Sequence, residues 1–101
     1  MRHRPTALGW INYEITTSPN WDRARVRQLA HRLGYTLLWA PTDSVLDISD
    51  IIRAADVDAI ITPTRVHLGA TALDRATHLC DVEIVSPRTS FIRSAVVEVG
   101  I

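Results

Sequence analysis

Apolar residues along this chain fall into short runs separated by polar stretches, and four of the runs have the composition of strands. They contain β-branched or aromatic side chains in compact blocks, which is typical of strands in a buried parallel sheet. The clearest is Ala59-Ile60-Ile61, which Pro63 stops. The predicted strands cover Thr6 to Tyr13, Tyr35 to Ala40, Ala59 to Ile61 and Asp81 to Ser86.

Between the first two strands, apolar residues recur at helical spacing. Ser18 followed by Pro19 is typical of a helix start, with the serine as the cap, and Gly34 is typical of a helix end. Arginines occupy most of the other side, which favours a solvated face. The predicted inward residues are Trp21, Ala24, Val26, Leu29, Ala30 and Leu33.

Two further helices follow the second and third strands. The start of the second helix stays open, because several residues before its apolar positions can act as caps. The third helix is predicted from about Ala70 to Cys80. The candidate caps of the second helix are Asp43, Ser44, Asp47 and Ser49.

Strand and helix therefore alternate, which predicts an α/β three-layer sandwich with a parallel sheet between helices and right-handed crossovers. We expect four strands in the order 2-1-3-4. The apolar stretch from Phe91 to Ile101 could add a fifth, edge strand or form a seam between subunits. Its candidate interface residues are Phe91, Val97, Val99 and Ile101.

The length of 101 residues predicts one domain with a single core. Residues 1–5 form a basic lead-in, which we expect to be a mobile arm that could meet phosphate. All 11 basic residues are arginines, and 11 acidic residues balance them. This neutrality argues against indiscriminate nucleic-acid binding, which needs clustered positive charge.

The single cysteine, Cys80, excludes an internal disulfide and fits a reducing compartment, and its neighbours predict a buried position. No run approaches the length of a membrane span, and the amino terminus lacks the apolar core of a signal peptide. We therefore expect a cytoplasmic protein without a membrane partner. The placement of Trp10, Trp21 and Trp39 suggests core filling, and exposure of two of them would indicate a partner.

Motifs for cofactor or metal chemistry are sparse. The loop after the first strand has no glycine, which excludes the backbone cradle of nucleotide-binding folds. Pro63 stands where a receiver domain needs an aspartate for phosphorylation and magnesium. We expect neither a cofactor nor a metal, because no metal-ligand spacing relates His3, His31, His67 and His78.

The loop after the third strand is expected to expose Arg65 and His67. Ligands gather at the carboxyl ends of parallel strands, so a small enzyme or binder of an anionic ligand could use these residues with Glu14. The simpler interpretation is that Arg65 pairs with a neighbouring acid and His67 caps the next helix. We favour it because no complete set of acid, base and nucleophile is found.

Four short patterns span Leu8 to Pro87: Gly-Trp-Ile-Asn-Tyr-Glu in the first strand, His-Arg-Leu-Gly-Tyr ending the first helix, Thr-Arg-Val after the third strand, and Asp-Val-Glu-Ile-Val before Ser-Pro. Together they resemble the catalytic domain of the serine recombinases, the resolvase and invertase family. The resemblance implies a resolvase-like amino-terminal fold.

The chemistry of that family lies largely in a first-strand motif of an aromatic residue, an arginine and a nucleophilic serine. On this chain Trp10 takes the aromatic place, Asn12 that of the arginine and Glu14 that of the serine. The later arginine-rich motif retains only Arg65. The tail after Arg93 is too short for the dimer helix and DNA-binding domain of the family. The resemblance thus implies a non-catalytic scaffold that acts through self-association or a protein partner.

A DNA-associated regulator is the alternative function. It would contact phosphate groups through exposed guanidinium groups, and its binding would weaken steeply with salt. The resemblance implies that any DNA contact is weak. The arginines that we expect it to use are Arg2, Arg4, Arg23, Arg27 and Arg65.

Overall fold

The computed structural model describes residues 4–41 and 46–93, which form one five-stranded sheet with three helices. The strands are β1 (Thr6–Gly9), β2 (Thr36–Trp39), β3 (Ala59–Thr62), β4 (Asp81–Ile84) and β5 (Thr89–Phe91). The helices are α1 (Pro19–Leu33), α2 (Ile48–Ala55) and α3 (Ala70–Thr77), with a 3₁₀ turn at Arg65–His67 before α3.

The predicted α/β architecture and the order of the first four strands are confirmed, since β2, β1, β3 and β4 are neighbours in that order and run parallel. The fifth strand of the described sheet lies before the stretch in which we expected one, since it ends at Phe91, and it does not continue the expected parallel arrangement. Strand β5 runs antiparallel to β4, with Phe91 opposite Val82. The short turn from Val85 to Arg88 allows only a hairpin, because parallel strands need a long crossover. The other interface candidates lie outside the described residues: Val97, Val99 and Ile101.

Helix α1 covers one face of the sheet and has the bounds that its sequence predicts. Pro19 opens it, and Gly34 closes it in the left-handed conformation with φ 82. Small side chains on β1 and β3 let the helix lie close to the sheet. The core on this face consists of Val26, Leu29, Ala30, Ala7, Ala59 and Ile61.

The prediction that Trp21, Ala24 and Leu33 face inward is wrong, because all three are exposed. A helix of 15 residues is about 22 Å long, whereas a strand of four residues spans about 13 Å. Part of α1 therefore extends beyond the strands that it covers. Trp21 and Leu33 lie near the two ends of the helix, and Ala24 lies on its solvent side.

The serine cap expected for α1 is also wrong. Ser18 makes no capping bond with its side chain. Its own N–H donates to Thr16 Oγ1 at 3.2 Å, and the Thr16 hydroxyl donates to the Asp22 carboxylate. We expected the serine side chain to bond to the first turn of α1. Thr16 of the preceding loop makes that side-chain connection instead.

Helices α2 and α3 cover the opposite face. Leu8, Ile60 and Val82 from the sheet pack there with Ile51 of α2 and Leu73 of α3. These side chains alternate with the α1-facing residues along each strand, as the pleat of a sheet requires. Both faces of the central strand β3 are therefore buried.

The ends of several elements differ from the predictions. Asp47 caps α2, with a carboxylate oxygen accepting the Ser49 N–H at 3.2 Å, so the later of the predicted starts is confirmed. Helix α3 ends at Thr77 instead of Cys80, which is buried as predicted. The earlier candidate caps of α2, Asp43 and Ser44, lie outside the described residues.

Within the described ranges, no helix has the combination of length and apolar character that crossing a membrane requires.

Gly9→Ala should destabilise the fold by about 1–3 kcal/mol. A Cβ atom on Gly9 would lie 2.5 Å from Trp39 Cε3, and the Arg23 guanidinium over the same ring hinders its displacement. Urea denaturation of the two proteins measures the difference.

The matched control is Gly9→Ala in a Trp39→Ala background, where the new methyl group meets no ring. The further loss there should be below about 1 kcal/mol. Equal losses in both backgrounds would show that Trp39 is not the obstacle.

Candidate functional site

A crevice of about 460 Å³ opens at the carboxyl ends of β1 and β3. The chain order reverses between these strands, because β1 leads to β2 on one side and β3 leads to β4 on the other. Open α/β sheets bind ligands at such reversal points. The polar and aromatic residues that line the crevice include Trp10, Asn12, Tyr13, Glu14, Asp47 and His67.

Asn12 shapes the loop between β1 and α1. Its side-chain oxygen accepts the Glu14 N–H at 3.0 Å, and its carbonyl oxygen accepts the N–H groups of Ile15 and Thr16. Asparagine often stabilises tight turns through such a bond to the backbone two residues ahead. This turn carries the chain out of the sheet, which explains why β1 does not continue to Tyr13.

His67 is only 7% exposed, so its expected exposure is wrong. Its Nδ1 atom accepts the backbone N–H of Asn12 at 2.9 Å, and its Nε2 atom lies 3.8 Å from Asp22 Oδ2. A polar backbone group that is removed from water needs such a partner. His67 therefore joins the segment after β3 to the loop after β1. It does not cap α3, which begins after Gly69 without a side-chain cap.

The bonds of His67 define the proton position on its neutral ring. Because Nδ1 accepts a hydrogen bond, the proton lies on Nε2, which faces the Asp22 carboxylate. Burial lowers the pKa of His67, and the negative charge of Asp22 offsets part of that effect. The ring is thus neutral at pH 7 and its lone pair is occupied. It lacks the free lone pair that a general base needs.

Arg65 lies outside the lining of the crevice. Its guanidinium carbon is 5.3 Å from the centre of the Phe91 ring, where the 3₁₀ turn meets β5. Of the three residues in the predicted anion or enzyme site, the structure brings only Glu14 and His67 to the crevice.

The other predicted arginines are distributed over the surface. Arg23 and Arg27 of α1 lie over the Trp39 ring, at 4.7 and 5.9 Å from its centre. Arg4 is exposed just before β1, so it lies at the amino-terminal end of that strand, whereas the crevice lies at the carboxyl end. Arg2 lies outside the described residues.

The charged groups that line the crevice include two carboxylates. Glu14 is exposed on the loop, and Asp47 accepts a bond from Arg75 Nη1 at 2.6 Å. The hydrogen bond from the Ser49 backbone, with help from Arg75, lowers the pKa of Asp47. Carboxylates at the lining repel an anion, so the crevice does not suit the anionic ligand expected at this end of the sheet.

Burial raises the pKa of the Cys80 thiol to about 12, which leaves no thiolate to act as a nucleophile near pH 7. Across residues 4–41 and 46–93, no group of three or more His, Cys, Asp or Glu side chains could hold a metal ion.

Three large apolar side chains are exposed on the loop after β1 and the first turn of α1, with 40% of Tyr13, 42% of Ile15 and 63% of Trp21 accessible. Tyr13 also lines the crevice. The bond from Thr16 to Asp22 holds the loop that carries the first two against the helix turn that carries the third. We call Tyr13, Ile15 and Trp21 the apolar rim. Exposed apolar residues that are grouped in this way indicate an interaction surface.

Sequence reasoning missed both Asp22 and the apolar rim. Residues four apart lie on the same side of a helix, so counting back from the buried Val26 reaches Asp22 and not Trp21. That spacing was the available signal that Asp22 lies on the inner side of α1 and Trp21 does not. Ile15 was a signal for exposure, because it is a single apolar residue among the polar residues of a loop.

Comparisons with protein-family models, with curated proteins and with solved structures found no match for this chain.

The unfolding free energy should fall as the pH is lowered from about 7.5 to about 5. The folded pKa of His67 is lowered below its ordinary value of 6.5, so the unfolded chain binds the proton more readily. The stability that His67 contributes is therefore present above pH 6.5 and is lost as the pH falls from there towards the folded pKa. His67→Asn should remove this part of the pH dependence, as measured by urea denaturation at several pH values.

His67→Ala should cost about 1–3 kcal/mol at neutral pH, because the Asn12 N–H loses its acceptor. His31→Asn removes an exposed histidine of α1 and is the matched control, which should keep the wild-type pH dependence. An unchanged pH dependence in His67→Asn would contradict the assignment.

Proposed function

We propose that this chain is a non-catalytic, resolvase-like interaction module that pairs with a second copy of itself through the apolar rim. The observation that carries the proposal is the exposed Trp21. It lies in the first turn of a long helix, next to a loop that carries two further exposed apolar side chains.

The apolar rim has the properties of an energetic centre in an interface. Tryptophan and tyrosine supply a large contact area with few rotatable bonds, and both are enriched among residues that dominate binding energy. The Tyr13 hydroxyl accepts a bond from Arg23 Nη1 at 3.4 Å. The bond between Thr16 and Asp22 restrains the loop. Little conformational freedom remains to be lost when a partner binds.

The charge of the chain supports pairing between identical copies. With 11 basic and 11 acidic residues, two copies approach without long-range repulsion. A two-fold pair also places the same surface on both subunits, so a single apolar patch serves both sides of the contact.

The site chemistry supports a role in binding without catalysis. The lone pair of His67 is occupied by Asn12, and the Cys80 thiol is buried. In the resemblance to serine recombinases, Asn12 and Glu14 stand in the places of the family's arginine and serine. The resemblance also implies pairing between copies of the domain, which is the part of that function that needs no catalytic residue.

The alternative functions have less support from the described residues. Arg23 and Arg27 lie over Trp39, whereas Arg65 lies over Phe91 at the other end of the sheet. A DNA-binding face needs such cations on one surface. An anionic substrate in the crevice would meet carboxylates at its lining.

Replacing Trp21 by Ala together with Ile15 by Ser should convert a dimer of this chain into a monomer. Truncation of a central interface residue costs about 2 kcal/mol or more, which corresponds to a loss of roughly thirtyfold in affinity. Sedimentation equilibrium over a range of protein concentrations measures the solution mass. Urea denaturation checks that the variant is folded, as expected for two exposed side chains.

Val66→Ser is the matched control, since Val66 is an exposed apolar residue on the 3₁₀ turn and outside the apolar rim. It should leave the solution mass unchanged. The dimer should also persist at high salt, because apolar contacts are not screened. A wild-type chain that is monomeric at every concentration, or a dimer that Val66→Ser breaks equally, would contradict the proposal.

A further inference from the structure

We propose a second site, which binds a phosphate group between α1 and the turn that joins β4 to β5. A cavity of about 170 Å³ lies there, and none of the residues around it lines the crevice. It is formed by Arg25, Gln28, Leu29, Arg32, Val85 and Arg88. The inference does not depend on the proposed pairing, which uses other residues.

The sequence spacing places three of these polar side chains on one flank of α1. Arg25, Gln28 and Arg32 are three and four residues apart, so they line one side of the helix. The apolar contacts Leu29 and Val85 lie between that flank and the sheet. The two guanidinium groups and the amide therefore supply donors along one wall of the cavity.

Arg88 supplies donors from the opposite wall and is held in place. Its Nη2 donates to Glu83 Oε1 at 2.7 Å, and its Nη1 donates to the carbonyl oxygens of Thr89 at 2.7 Å and Ile84 at 3.3 Å. Three of the five guanidinium N–H groups are thus occupied, and two remain for an anion. Glu83 is buried and also accepts a bond from the Ser90 hydroxyl. A guanidinium group fixed in this way binds an anion with little loss of rotamer freedom.

Positive charge at this cavity exceeds the negative charge that balances it. Glu83 pairs with Arg88, but in the described part of the chain no carboxylate lies within ion-pair distance of Arg25 or Arg32. Guanidinium groups that surround one space repel each other unless an anion lies between them. They also match the oxygen geometry of phosphate, to which arginine can donate two parallel bonds.

A single phosphate group matches both the charge and the space. A phosphate or phosphate monoester carries a charge of about −1.5 to −2 near pH 7, which balances the two arginines without a carboxylate partner. The cavity is bounded by α1 on one side and the β4–β5 turn on the other. It therefore suits one compact phosphate group better than a length of nucleic-acid backbone.

Inorganic phosphate should raise the melting temperature of the full chain, and sodium chloride of equal ionic strength should not. Isothermal titration with inorganic phosphate then measures the dissociation constant. Arg25→Gln combined with Arg32→Gln should raise that constant at least about tenfold. Both residues are free of ion pairs in the described chain, so the variant should stay folded.

Arg27→Gln is the matched control, because Arg27 belongs to the same helix but lies over Trp39 on the other flank. It should change the dissociation constant by less than about twofold. Trp21→Ala should leave phosphate binding intact even if it abolishes dimers, which separates a failure of this inference from a failure of the proposed function.

Titration with a nucleoside monophosphate distinguishes the two sources of the phosphate group. Tighter binding than inorganic phosphate identifies an ester, and weaker binding identifies the free ion; both results support the site. The inference is overturned if phosphate has no effect beyond that of chloride, or if Arg27→Gln weakens binding as much as the double variant. It is equally overturned if a short DNA duplex binds while neither phosphate compound does.

Discussion

The hydrogen bond from the Asn12 N–H to His67 Nδ1 connects the two segments that form the crevice. One segment follows β1 and the other follows β3, and 55 residues separate the bonded pair along the chain. The same strands are joined just inside the sheet by the bond from the Thr62 hydroxyl to the Trp10 carbonyl oxygen at 2.9 Å. Without the imidazole, the loop that carries Asn12 would have a donor without a partner. The crevice lining and the position of the apolar rim therefore both depend on this buried ring.

Much of the architecture could be predicted because its signals are local. The bounds of α1 follow from Pro19 and Gly34, each of which permits only certain backbone conformations, and Asp47 was among the candidate caps of α2. The order of the parallel strands follows from the alternation of strand and helix patterns along the chain and from right-handed crossovers. Strand β5 (Thr89–Phe91) was missed because it is short and its polar residues carry no strand signal of their own. Its direction follows from the length of the turn before it.

The candidate site was predicted less well because burial there depends on partners far away in sequence. His67 was expected in solvent because it is a polar loop residue. It is buried instead, where its ring accepts a hydrogen bond from the backbone N–H of Asn12. The exposure of Trp21 depends on a comparison of lengths, since α1 is longer than the strands beneath it. Neither fact is contained in a local pattern. Which aromatic residue fills the core and which remains exposed is decided by tertiary packing.

The neutral composition of the chain constrains long-range forces but says little about individual sites. Two of its arginines lie over Trp39 and one lies over Phe91, so part of the positive charge is placed on aromatic faces. Others converge on the cavity beside α1, while carboxylates lie at the crevice. Opposite charges separated in this way cancel at distances beyond about 8–10 Å in physiological salt. Within that distance, the charged groups nearest to a site determine which ions it attracts. A chain with no net charge can therefore attract an anion at one place and repel it at another.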